Sequence, residues 1–346
     1  MSYIKSIHVQ NIRTHESLAI DLSGGATVIT GDNGVGKTSL LEAVYIALQG
    51  SSFKGADKDI VSYGKTWWRI DLEFDDGLKR TVKFDSQKQT GRKQFTINDK
   101  QMYRLSSNHK YPVVLFEPDD LRLLHGSPTR RRLFIDHFIS QLDPLYSVTL
   151  RKYDRALKQR NSLLKKQYIK NDELFVWDIA LSEHGAYIIQ QRISFIEEIN
   201  RKLNDAYNEI AQSNDIVSIH YSYTLIDSIQ QKLLNELHAT AEKDKILGYT
   251  STGPHRHDVI FKYNNETAHL IASRGEVRSL ILALKFLEID IILQLTGVYP
   301  IVLLDDVFSE LDEHRQKKLS IYDHQSILTT TQLSFKNKQF TEVRLT

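Results

Sequence analysis

Apolar and polar residues alternate with a period of two over residues 3–9 and 18–22, which predicts half-buried strands around a polar turn at 11–16. A short apolar strand follows at 26–30, then a glycine-rich stretch, then a helix over 39–48. Alternation resumes at 68–74 and 78–84 around Asp76-Gly77, a strong hairpin signal, with further strands at 95–97 and 112–116. Together these predict an antiparallel elaboration beside the glycine-rich stretch. From Gly126 the character changes. Ser127 is placed to cap a helix, Pro128 takes its first position, and Arg130, Arg131 and Arg132 fill its opening turns. Residues 146–210 read as almost wholly helical. Leu150, Tyr153, Leu157, Leu164 and Tyr168 repeat at helical spacing, and after a break at Asn171-Asp172 so do Ile188, Phe195, Ile199, Leu203, Ala206 and Ile210. Two antiparallel helices packed on each other satisfy both stripes, which are too short and ragged for a long coiled coil. Beyond them come a strand at 216–223, a helix at 226–245, a strand at 259–263 and an apolar helix at 277–295. A buried strand at 301–306, a helix from 313 and a strand at 326–331 complete an alternation that predicts a parallel sheet.

Composition narrows the options. A chain of 346 residues exceeds what a single core usually holds, so two lobes are expected. Hydrophobic content of 41% and charged content of 25% belong to an ordinary globular chain. No apolar run approaches the roughly 18 residues of a membrane span, and the first residues enter a strand pattern rather than a signal peptide, so the expectation is a cytoplasmic protein with no membrane partner. The chain has no cysteine, which excludes disulfides, thiolate metal sites and thiol catalysis. A net charge of +2 says little, but its distribution says more. Arg151, Lys152, Arg155, Lys158, Arg160, Lys165, Lys166 and Lys170 stand against Asp154 alone in the ascending helix. Solvated helix faces usually mix signs, so this run leans towards a surface that meets a polyanion. The run Arg130 to Arg132 carries less weight, since two of its members are expected to pair with acids between the lobes.

The glycine-rich stretch, GDNGVGKT, fits the phosphate-binding loop pattern at every position, with the strand before it and the helix after it both present. Gly31, Asp32, Asn33, Gly34, Val35 and Gly36 would wrap backbone N–H groups around phosphate oxygens, and the helix opening at Lys37 aims its positive end at the same charge. Lys37 would reach the terminal phosphates, the Thr38 hydroxyl would hold a magnesium ion, and Ser39 completes the loop. Such a metal needs a carboxylate at a neighbouring strand end, which assigns Asp305 to magnesium and leaves Asp306 to polarise the attacking water. More than two hundred residues separate the loop from these acids, so something large is inserted into the nucleotide fold. Ser273-Arg274-Gly275-Glu276 opens a helix in one of two ways: as a capping box, or as a helix start that receives a phosphate.

Over nearly its whole length the chain resembles the RecF family of the SMC and ABC ATPase superfamily. The marks are NIRTHESLAIDL, GDNGVGKTSLLEAVYIALQGSSF, GSPTRRRLFID, GPHRHDVIF, ASRGEVRSLILALKFLE and PIVLLDDVFSELDEHR, in the family's order and spacing. The resemblance implies an α/β fold, a P-loop ABC-type ATPase head of mixed sheet with flanking helices and an antiparallel elaboration. The head would span 1–125 and 246–346, with a helical-hairpin arm inserted at 126–245. It implies ATP and Mg2+ as cofactors, an ATP-dependent homodimer and slow ATP hydrolysis. It also implies binding of single- and double-stranded DNA at gaps, and work with RecO and RecR in loading RecA during recombinational repair, replication and the SOS response. By position, Lys37 and Asp306 would be catalytic and Thr38 and Asp305 would hold the metal. Ser273, Gly275 and Glu276 would form a signature element acting across the dimer, Ser309-Glu310-Leu311-Asp312 the loop linking the two sites, and Arg13 would lie near the nucleotide. Ser39 replaces the family's usual Asn, Glu276 a common Gln, and His257 one of two frequent acids. No Gln sensing the terminal phosphate is placed, and Thr329-Thr330-Thr331 stands where a His often follows the last core strand. Another SMC-like chromosome-associated ATPase would need far longer coiled coils, a small-molecule kinase has no use for Ser-x-Gly-Glu, and a transporter ATPase would lack RRRLFID and GPHRHD.

Overall fold

The computed structural model describes residues 2–87, 93–166, 171–224, 228–307, 324–331 and 340–346. The expected helix from 313 and the loop Ser309 to Asp312 lie outside these residues. The chain packs as two units, one of residues 1–120 with 288–346 and one of 121–287. Residues 246–287, assigned to the head in the sequence reading, thus pack within the second unit.

The first unit begins with β1 (Ile4–Ile12) and β2 (His15–Asp21), joined by a turn of only Arg13 and Thr14 because Ile12 still pairs with His15. The strands run further into the expected polar turn than alternation suggested. Next come β3 (Ala26–Thr30), α1 (Lys37–Gln49), β4 (Trp67–Phe74), β5 (Lys79–Asp85), β6 (Gln94–Ile97), β7 (Lys100–Met102) and β8 (Val113–Phe116). Gly77, in the left-handed region at φ 84°, makes the turn between β4 and β5. A six-stranded antiparallel sheet has the order β2-β1-β4-β5-β6-β7.

The strand at 112–116 does not belong to that elaboration: β8 pairs in parallel with a strand near the end of the chain. All four of its residues, Val-Val-Leu-Phe, are buried, as in a parallel strand covered on both faces, where alternation disappears. Helix α1 is apolar on nearly every side and packs on strands of both sheets of its unit, with a core that includes Ile7, Leu41, Val44, Trp68, Ile29 and Leu303. A helix apolar all round is stable only when enclosed in this way.

The second unit holds α2 (Pro128–Leu142), α3 (Pro144–Leu163) and α4 (Asn171–Ala211), then β9 (Val217–Tyr221), α5 (Ile229–Ala239), α6 (Ala241–Leu247), β10 (Val259–Tyr263), β11 (Glu266–Thr267), α7 (Ala268–Ile271) and α8 (Arg274–Thr296), whose last turns belong to the first unit. α3 and α4 pack against each other as the apolar stripes required. The helix expected at 226–245 is two helices, broken at Thr240, whose hydroxyl bonds the Glu236 carbonyl. The strand at 259–263 pairs antiparallel with β9 and β11 in a separate three-stranded sheet rather than joining the parallel one.

The chain then returns to the first unit with β12 (Ile301–Asp305), β13 (Ser326–Thr330) and β14 (Phe340–Arg344), giving a five-stranded parallel sheet in the order β14-β3-β13-β12-β8. The strand leading into the glycine loop therefore lies between two strands from the far end of the sequence.

Candidate functional site

The loop Gly31 to Gly36 leaves the end of β3, and α1 begins at Lys37. Gly31, Gly34 and Gly36 have φ of 152°, 91° and 95°. Gly36 is required twice over. Its left-handed backbone starts the helix, and a Cβ there would lie 2.2 Å from His15 Nε2 and 2.5 Å from Thr14 Oγ1. His15 Nε2 sits 3.1 Å from the Gly36 carbonyl. Lys37 is buried and curls over the loop, donating to the carbonyls of Gly31 at 2.7 Å and Asp32 at 2.9 Å. A cleft of about 460 Å³ lies beside this loop, lined by Gly31, Asp32, Val35, Thr331 and Arg344 among others.

At the other end of the sheet's sequence, Asp305 closes β12. Thr38 Oγ1 donates to its Oδ1 at 2.6 Å, and Thr329 on β13 adds a bond of 3.1 Å to the same oxygen. Lys54 Nζ approaches Oδ2 at 3.4 Å. Asp306 has a left-handed backbone at φ 53°, and its N–H donates to Thr329 Oγ1 at 2.9 Å.

Arg13 shares the same unit, but its guanidinium is committed to Glu42 on α1, through bonds of 2.6 and 2.9 Å. Glu42 is fully buried, and its hydrogen bond holds the guanidinium pKa above its ordinary value against the opposing effect of burial. Ser52 donates to the same carboxylate. Neither Glu42 nor Lys54 was singled out from the sequence. An acid inside the apolar run LLEAVYIAL was the available signal, since a carboxylate is not buried there without a cation.

In the second unit, Ser273 and Glu276 form a reciprocal cap at the start of α8. The Ser273 N–H donates to Glu276 Oε2 at 2.6 Å, and the Glu276 N–H to Ser273 Oγ at 3.4 Å. Tyr263 OH adds a bond of 2.9 Å to Glu276, and these bonds, the Ser273 N–H foremost, hold its carboxyl below the usual range. Ser273, Arg274 and Gly275 are exposed.

The basic residues sort differently from expectation. Arg131 pairs with Asp258 at 2.7 and 2.9 Å, while Arg132 donates to the His257 carbonyl and to Thr129. Of these two, Arg131 meets an acid; its partner Asp258, placed in the other lobe by the sequence reading, packs with it in the second unit. Arg160 is no part of a polyanion surface: it is fully buried and bound to Asp178, Asp244 and Thr250. Arg151, Lys152, Arg155, Lys158, Lys165 and Lys166 are exposed, and Lys170 lies outside the described residues. The GPHRHD stretch is built into the second unit, buried at Gly253 and Pro254, half-buried at His255, His257 and Asp258 and exposed at Arg256. His255 meets Tyr153 OH and the Thr250 carbonyl, His257 meets Tyr221 OH, and Arg192 pairs with Asp136 while donating to the Pro254 carbonyl. Burial pushes both histidines down to about 4.

Among the described residues no group of three or more His, Asp and Glu is arranged to hold a metal unaided. The adjoining hydroxyl of Thr38 and carboxylate of Asp305 are hard oxygen donors of the kind magnesium takes beside phosphate and water. No described helix is long and apolar enough to cross a membrane.

A parallel sheet whose strand enters a glycine loop and helix, with a hydroxyl in that helix's first turn joined to a carboxylate at the end of the strand two places away, defines a P-loop ATPase head of the ABC type. A profile described as an AAA domain matches residues 6–343. The DNA replication and repair protein RecF of Clostridium perfringens (strain SM101 / Type A) is 34% identical over 95% of this chain and 93% of its own. The solved structure of the recombination mediator protein RecF-ATP in the RecFOR pathway matches with a TM-score of 0.87 at 30% identity, over 97% of this chain and 94% of that one. The chain belongs to the RecF family of DNA replication and repair proteins. The likeness to an Smc head domain from Pyrococcus furiosus, TM-score 0.52 at 17% identity over 96% of this chain and 90% of that one, is one of fold.

Proposed function

We propose that the chain is a cytoplasmic, DNA-binding ATPase of recombinational repair, which dimerises on ATP, binds single- and double-stranded DNA at gaps and, with RecO and RecR, promotes RecA loading. The observation that carries this reading is the bond from Thr38 to Asp305, which brings the phosphate loop and the strand-end acid to one point. The family supplies the pathway: a relative with bound ATP is described as a mediator in the RecFOR pathway.

In this reading the N–H groups from Gly31 to Gly36 and those opening α1 at Lys37, Thr38 and Ser39 cradle the phosphates, and Lys37 exchanges its carbonyl partners for phosphate oxygens. Thr38 and Asp305 hold magnesium, which neutralises phosphate charge when bound. Asp306 orients and polarises the attacking water. Arg13 stays on Glu42 and braces the start of the site rather than touching nucleotide. Ser273 and Gly275, exposed at the start of α8, and Glu276, which caps it, meet the phosphate held by a second copy. The head and arm of the sequence reading remain the working division, with residues 246–287 moved to the arm's unit.

Sedimentation with ATP and magnesium, and turnover with and without gapped DNA, test the proposal. ATP should convert monomer to dimer, and DNA should raise turnover. A protein that stays monomeric with ATP and whose turnover ignores DNA would overturn it.

A further inference from the structure

The loop after α1 holds a charge that the reading above does not use. Ser52 anchors this loop: its hydroxyl donates to buried Glu42 and accepts the N–H groups of Lys54 at 2.8 Å and Gly55 at 3.0 Å. Glu42 is itself fixed by the two bonds from Arg13. So tethered, the loop lays the Lys54 ammonium against Phe53 and aims it at Asp305, 3.4 Å from Oδ2. The two oxygens of Asp305 are divided. Oδ1 accepts from Thr38 and Thr329, and Oδ2 faces Lys54. The side chain of Asp305 is 5% exposed and that of Lys54 38%, so the carboxylate is fixed and interior while the cation reaches in from the surface.

Burying a carboxylate is costly, and a cation at its second oxygen offsets that cost. We propose that Lys54 is a placeholder cation: it neutralises Asp305 while the site is without metal and leaves that oxygen when magnesium and nucleotide bind. This rests on the reading of Thr38 and Asp305 as the magnesium pair. An ammonium and a dication drawn to the same carboxylate repel each other at close range, so metal binding and the Lys54 pair compete.

Magnesium titrations of binding to a fluorescent ATP analogue test this, on wild type, Lys54→Met and Lys54→Arg. Without the competing ammonium, Lys54→Met should reach half-saturation at about three- to tenfold less magnesium, the range expected of a partly buried pair. Lys54→Arg should stay close to wild type. Without nucleotide or metal, Lys54→Met should melt below wild type, and saturating magnesium with nucleotide should close that gap. An unchanged magnesium midpoint in Lys54→Met overturns the proposal. So does an equal loss of nucleotide affinity with and without magnesium, which would make Lys54 a phosphate ligand. If wild type itself binds no nucleotide under either condition, the reading of the site fails and this inference with it. A wild type that binds, beside an indifferent Lys54→Met, removes the inference alone.

Discussion

Thr38 and Asp305 stand 267 positions apart in the chain, and the hydroxyl of one donates to the carboxylate of the other over 2.6 Å. The bond joins the first turn of α1 to the end of β12 and leaves Asp305 only 4% exposed. Thr38→Val keeps the side chain's shape and removes the donor. It should cost about 1–3 kcal/mol in chemical denaturation of the metal-free protein, because a buried acceptor loses its shortest bond. A loss within experimental error would mean that Thr329 and Lys54 suffice to hold the carboxylate.

Charge and chemistry should separate between Lys37 and Asp306. Lys37→Met is expected to weaken ATP binding, since no other side chain in the loop brings a cation to the terminal phosphates. Asp306→Asn should keep binding and accumulate an ATP-bound dimer. Asn accepts the left-handed φ of 53° at this position as readily as Asp, so the backbone need not change. Equal losses of affinity in the two variants would refute the division.

Ser273→Arg addresses the start of α8. The side chain is exposed, so the protomer should fold, losing on the order of 1 kcal/mol with the cap. ATP binding by the monomer should persist while ATP-driven dimerisation disappears, because a bulky cation would fill the place of the partner's phosphate. If sedimentation still shows a normal dimer, the Ser-x-Gly-Glu stretch is a helix cap and no more.

Along α3 and the turn that follows it, reversing Arg151, Lys152, Arg155, Lys158 and Lys165 together should lower DNA affinity for all sequences alike. The slope of log K against log salt on duplex should flatten by about 0.9 per lost phosphate contact. Arg160 must be left out of any such variant, since it sits in the interior with Asp178 and Asp244 and its reversal would unfold the unit instead. Unchanged affinity and slope would assign the DNA surface elsewhere.

The interior histidines predict a pH dependence of stability. His255 and His257 are pushed from 6.5 to about 4, by burial first and by neighbouring cations such as Arg132 and, for His257, Arg192. Between these values the unfolded chain binds protons that the folded protein refuses, so stability is full above pH 6.5 and falls as pH drops towards 4. Each group contributes on the order of 3 kcal/mol. Urea denaturation across this range should show the decline, and it should be shallower in His257→Gln. An identical slope in that variant would show that other groups carry the effect.

The phosphate loop was fully legible in the sequence because its chemistry demands particular residues at fixed spacing with no gaps. Strands β1, β4 and β5 were legible because one face of each is buried, and burial writes a period of two. β8 was placed in the wrong sheet for the converse reason: with all four residues covered, VVLF carries no direction or partner. β14 was missed although FTEVR alternates, since nothing local says that it will lie beside β3. Arg160 looked like its basic neighbours because the acids that bury it, Asp178 and Asp244, come from other helices. Charge runs record composition, whereas partnership is decided by folding.

The discontinuity of the first unit has a consequence for how the protein is made. β3 and the phosphate loop emerge early in synthesis, but β13 and β14, which flank that strand, and Asp305, which meets Thr38, come from the far end of the message. At roughly 5–20 residues per second the wait between Thr38 and Asp305 is from about ten seconds to about a minute. During that time the nascent loop has neither of its neighbouring strands nor its acid. A ribosome that stops early therefore releases a chain whose β3 lacks both neighbouring strands and whose Thr38 hydroxyl lacks its acceptor.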